Sequence, residues 1–108
     1  MKALWCMTVA KRDFVEAVGH ARTRATLRRK GRGLECQVML VNSDGQLSVR
    51  SSQAAMDILA EGSWSSPVFT NGPALRRLAP KLKGPMVTLT YVAGRLFLDA
   101  TSIPAREA

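Results

Sequence analysis

Histidine is almost missing from this chain: His20 is the only one. Without a second imidazole, neither a two-histidine metal site nor a histidine cluster can form, and His20 itself reads as a helix surface residue rather than a base. Cysteine is scarce too. Cys6 and Cys36 stand 30 positions apart in apolar stretches, with no C-x-x-C, which points to two reduced core thiols and away from a secreted disulfide scaffold. Aromatics make up 6% of the residues, too few for the stacking platforms that grip single-stranded nucleic acid. Acidic groups are outnumbered, 8 against 16 Lys and Arg. Of these, Asp44, Asp57, Glu61 and Asp99 are scattered over turns and strands, so no carboxylate pair is placed for acid-base work. There is no P-loop, and Gly31-Arg32-Gly33 lacks the spacing of a dinucleotide fingerprint. The expectation is a non-enzyme with no cofactor and no metal.

Long apolar runs are missing as well. The apolar stretch in residues 1–10 is halted by Lys11-Arg12-Asp13 and has no small-residue cleavage site, so it reads as a first strand and not a signal peptide. No stretch approaches the roughly 20 apolar residues that a membrane helix needs. A soluble, cytoplasmic protein with no membrane partner is expected.

What the chain does have is enough apolar residue for one core, 46% of 108 residues, and a single domain over residues 1–108 is expected. It also has a patterned charge. Residues 11–33 hold eight Lys and Arg against Asp13 and Glu16, a net +6, and residues 73–83 hold four against none, a net +4, so the remainder of the +8 total is −2. Positive charge confined to two segments is the footprint of a surface that faces a polyanion. A solvated face that only aids solubility is the blander reading.

Asp13 is placed to cap a helix, with Glu16 three residues on as the other half of a capping box. Phe14, Val18, Ala21 and Ala25 then recur at helical spacing as an apolar stripe. The helix runs out into Arg28-Arg29-Lys30-Gly31-Arg32-Gly33, which is too charged and too glycine-rich to stay helical. Leu34, Cys36, Val38 and Leu40 alternate with polar or flexible neighbours, Asp44-Gly45 supplies a tight turn, and Leu47 and Val49 alternate on the return strand. Residues 54–61 fit neither period cleanly and are assigned to a strand; Gly62-Ser63-Trp64-Ser65-Ser66 reads as a connection, with Trp64 a packing residue. Pro67-Val68-Phe69-Thr70 is a short strand. Asn71 or Gly72 caps a second helix with stripe Leu75, Leu78, Ala79 and Leu82, and Pro80 must shorten or kink it. Val87, Leu89 and Tyr91 alternate in a strand that Ala93-Gly94 turns back, and an extended piece around Ile103-Pro104 follows. Strand, capped basic helix and hairpin thus occur twice, a duplication of pattern rather than of residues. The fold class is α+β, with two adjacent helices packed on one face of an antiparallel sheet.

That order, with Asp13-Phe14-Val15-Glu16-Ala17-Val18 opening the first helix, Ser43-Asp44-Gly45-Gln46-Leu47-Ser48-Val49 at the hairpin, Ala74-Leu75-Arg76-Arg77-Leu78 in the second helix and Ile103-Pro104-Ala105 near the end, resembles one subdomain of a bacterial DNA sliding clamp. The resemblance implies helices that line the inside of a ring around duplex DNA, with sheets outside and subdomains joined edge to edge. Carried over position by position, it implies inward-facing Arg22 and Arg24 on the first helix and Arg76, Arg77, Lys81 and Lys83 on or near the second. Clamp subunits string two or three such units on one chain; a chain with one would close a ring only by self-association through its sheet edges.

Two functional readings stay open. In one, the chain binds nucleic acid, duplex DNA favoured, through phosphates and without reading bases, using Arg22, Arg24, Arg76, Arg77, Lys81 and Lys83, with Arg28, Arg29, Lys30 and Arg32 as a second patch. In the other, it is a protein-interaction or assembly module of clamp-like fold whose charge is incidental.

Overall fold

The computed structural model describes residues 5–21, 37–51 and 54–107. The elements follow in the order β1 (Trp5–Ala10), α1 (Lys11–His20), β2 (Gln37–Ser43), β3 (Gln46–Arg50), β4 (Ala55–Trp64), β5 (Val68–Asn71), α2 (Gly72–Leu78), a 3₁₀ turn (Ala79–Lys81), β6 (Met86–Val92), β7 (Arg95–Leu98) and β8 (Thr101–Glu107). The expected alternation decides which side of each strand faces in. Val38 and Leu40 of β2, Leu47 and Val49 of β3, Val87 and Leu89 of β6, and Leu96 and Leu98 of β7 are all fully buried. At about 1.5–3 kcal/mol for each such side chain, the strands supply most of the burial, and the helices add Phe14, Ala17, Val18, Leu75 and the adjoining Ala79 to the same core.

Turn chemistry fixes the hairpin registers. Asp44 (φ 54°) and Gly45 (φ 84°) both take the left-handed conformation that a two-residue turn between β2 and β3 demands. Asn42 Oδ1 accepts from the Gly45 N–H at 3.1 Å, and Ser43 faces Gln46. Ala93 (φ 47°) and Gly94 (φ 82°) do the same between β6 and β7, where Val92 faces Arg95.

All pairings are antiparallel, and the strands close into a barrel in the order β1-β4-β3-β2-β5-β8-β7-β6. This corrects the expected open sheet covered on one face. Closure depends on two long strands that change partners. Residues 55–59 of β4 pair with β3, and residues 60–64 pair with β1. Residues 101–104 of β8 pair with β7, and residues 105–107 pair with β5. The expected connection at Gly62-Ser63-Trp64 is therefore the second half of β4. A glycine is required there because Gly62 (φ 127°) sits so close to β1 that a Cβ would collide with the Cys6 carbonyl. Trp64 is a packing residue as expected: its ring is buried and its Nε1–H donates to the Leu40 carbonyl at 2.9 Å.

The repeated pattern becomes a repeated topology. The unit β1-α1-β2-β3-β4 matches β5-α2-β6-β7-β8, and each pairing has its counterpart, β1 with β6 answering β5 with β2. The halves meet at Ser66. Its carbonyl accepts from Trp5 Nε1–H at 2.9 Å, and its hydroxyl donates to the Glu107 carboxylate at 2.9 Å.

Two smaller expectations are also corrected. Asp13 is not the N-cap of α1: the helix starts at Lys11 straight out of β1, and the Lys11 N–H donates to the Pro85 carbonyl at 2.8 Å, leaving Asp13 in the first turn. There its charge suits the positive end of the helix dipole. Cys6 is a free, half-buried thiol in β1 on the side opposite buried Met7 and Val9, so it is not a core residue. Cys36 and Ala25 lie outside the described residues.

Candidate nucleic-acid interface

The segment that carries the second basic patch is built by a cap, a stripe and a proline. Asn71 Oδ1 accepts from the Ala74 N–H at 2.8 Å, and Pro73 occupies the first turn, where a missing N–H costs nothing. Leu75 and Ala79 are fully buried, and Leu78 and Leu82 pack against the core from its margin. Pro80 then acts as expected. It cannot donate to the Arg76 carbonyl, so α2 ends at Leu78 and the chain tightens into the 3₁₀ turn before Lys83 and Gly84.

With one side committed to the core, the cations are left on the other. Arg77, Lys81 and Lys83 are exposed and Arg76 is half-buried. No acidic residue occurs anywhere in residues 62–98, so nothing along this part of the chain offsets them. α1 and α2 pack against each other, and α1 also touches the 3₁₀ turn. That packing brings in two cations that sequence reasoning counted but did not single out, Lys11 and Arg12. They border an open groove of about 640 Å³ together with Val15, Pro80, Pro85 and Met86. Nothing in the linear sequence marks this meeting, because it joins positions some 70 residues apart. Arg22, Arg24, Arg28, Arg29, Lys30 and Arg32 lie outside the described residues.

A second, smaller groove of about 250 Å³ lies where β2, β5 and β8 run side by side, bordered by Gln37, Phe69, Asn71, Pro104 and Arg106. The Arg106 guanidinium stacks over the Phe69 ring, 4.8 Å from its centre. Gln37 Oε1 is buried with no donor among the described residues, an expensive state for a polar atom. Sequence reasoning missed this site as well, since its members come from three separate strands.

Among the described residues no group of three His, Cys, Asp or Glu is placed to hold a metal ion. His20 is exposed at the end of α1. Among the described residues no helix is long and apolar enough to cross a membrane.

No protein-family model and no curated protein matches the sequence. Solved structures do. The DNA polymerase sliding clamp of Caulobacter crescentus superposes with a TM-score of 0.75 at 15% identity, over 96% of this chain and 31% of that one. The fold is clamp-like. The Helicobacter pylori beta clamp bound to a DNA ligase peptide gives 0.76 at 15% identity over 94% of this chain and 31% of that one. The DNA polymerase III beta subunit of Thermotoga maritima gives 0.72 at 11% over 94% and 29%. The clamp-like chain thus spans about 30% of the length of the clamps it matches.

Proposed function

We propose that this clamp-like domain is a non-catalytic binding unit that holds duplex DNA by its phosphates, without reading bases. The observation that carries the reading is the acid-free segment around α2, whose apolar side is locked into the core while Arg77, Lys81 and Lys83 are exposed and Arg76 is half-exposed beside them. Cations fixed in this way cannot turn inward to find partners, and phosphate is the ligand that uses them without any base-specific group. Solved proteins of the same fold are named as clamps of a DNA polymerase, which supports the same reading. Arg22 and Arg24, with Arg28, Arg29, Lys30 and Arg32, would extend the surface.

Self-association belongs to this proposal. Each half of β4 and of β8 pairs on one side only among the described residues, and such half-strands offer a second copy a place to add its own. The test is a titration of duplex DNA of mixed sequence at several salt concentrations. Four neutralised phosphates give a slope of log K on log salt of roughly −3.6, at about −0.9 each. Absence of salt-dependent binding at low ionic strength would sink the reading.

One observation favours a second reading, a protein-interaction module. The buried Gln37 Oε1, which has no donor among the described residues, lies beside the Phe69 and Arg106 stack and is suited to a peptide N–H, and the Helicobacter pylori clamp is described as bound to a peptide. Peptide binding that Gln37→Ala abolishes, in a chain that ignores DNA, would put this reading first.

A further inference from the structure

We propose that the groove between the start of α1 and residues 80–86 is a docking site for an acidic, apolar-studded peptide segment of a partner protein. The proposal goes beyond DNA binding, because its ligand must satisfy two kinds of surface at once. The floor is apolar: Val15, Pro80, Pro85 and Met86 border a space of about 640 Å³, and Met86 stays 50% exposed. An exposed methionine among prolines is an adaptable apolar surface, with nothing among the described residues covering it. The rim is cationic. Lys11 and Arg12 border the groove, Lys81 follows Pro80 directly, and Lys83 stands two residues before Pro85. The acidic residues of α1, Asp13 and Glu16, are not among those bordering it.

The groove is also held in shape. Ala10 and Met86 form the last rung between β1 and β6, and the Lys11 N–H to Pro85 carbonyl bond ties the helix start to the strand entry. A preformed groove binds without the cost of ordering itself. Charge and shape together choose the occupant. A nucleic-acid backbone meets the cations but leaves the apolar floor wet. A single acyl chain covers the floor but has one carboxylate for the two cations, Lys11 and Arg12, that border the groove, and an open groove does not enclose it. A peptide with Glu or Asp interspersed among Leu or Phe uses both surfaces.

The test uses the full chain and a fluorescein-labelled peptide in which Glu alternates with Leu and Phe, read by fluorescence anisotropy. Two control peptides replace every Glu by Gln, or every Leu and Phe by Ser. Each control should bind about tenfold more weakly or worse, and Arg12→Glu and Met86→Glu should each weaken the parent peptide by about tenfold. Met86→Ser, a milder change at an exposed position, keeps the test valid if Met86→Glu proves unstable. The Met86 methyl resonance of the unmutated chain should shift on adding the parent peptide. Equal binding of the Ser-substituted control would make this a generic polyanion surface and overturn the proposal. So would unchanged binding by the variants, or a Met86 methyl that does not move. Duplex retention, measured on the same samples, tests the DNA reading separately.

Discussion

Two backbone positions carry opposite kinds of strain. Gly62 sits where any Cβ would drive into the Cys6 carbonyl, with φ at 127°, and the backbone has no flexible atom that can yield. Gly62→Ala should cost at least about 3 kcal/mol, read as a lowered urea midpoint. Ala93 is the reverse case: a side chain is present where φ is 47°, a conformation that costs a non-glycine residue about 1 kcal/mol or more. Ala93→Gly relieves that strain and loses some of the gain to the greater freedom of glycine in the unfolded chain. A net stabilisation of about 0.5 kcal/mol is expected, and an unchanged or lowered midpoint would show that the turn is not strained. Asp44, at a φ of 54° in the equivalent turn, needs no such repair, since Asp tolerates this region better than Ala.

At the scale of the element, α2 carries the functional claim. Replacing Arg76, Arg77 and Lys81 by Ala removes charge from the solvent side while Leu75 and Ala79 keep the helix in place, so folding should survive. The salt slope should flatten by about one unit for each phosphate that is no longer neutralised, equally for every DNA sequence. A triple variant that folds and binds as the parent does would remove α2 from the interface. The limits of α2 were legible in the sequence because they rest on local chemistry, the Asn71 cap and the Pro80 stop. Both tight hairpins were legible for the same reason, through Asp44-Gly45 and Ala93-Gly94. Local signals fail where a strand changes neighbours. The second half of β4 is laid against β1 by long-range pairing, Trp5 opposite Trp64, and a glycine in the middle of such a strand looks like a loop. The same limit hid the two grooves, each assembled from segments that meet only after the barrel closes, and it hid Lys11 and Arg12 as neighbours of the 3₁₀ turn.

At the scale of the molecule, barrel closure limits where copies can associate. An open sheet would present two full edges; here each half of β4 and of β8 is paired on one side among the described residues. Leu59, 72% exposed, stands on the first half of β4 between exposed Asp57 and Glu61, charges that discourage unselective stacking. The expected behaviour is a concentration-dependent mass by light scattering or sedimentation. A strictly monomeric mass at high micromolar concentration would count against a ring built from copies. The junction at Ser66 has a different consequence. Trp5 and Glu107 both bond to Ser66, so the beginning of the first half and the end of the second lie at the link between the halves. Joining β8 to β1 through a short linker and opening the chain near Ser65 would present β5-α2-β6-β7-β8 ahead of β1-α1-β2-β3-β4. Every rung of the barrel would be preserved. Such a circular permutant should unfold as one cooperative unit with the parental circular dichroism, because the order of the halves along the chain is, for this architecture, a matter of indifference.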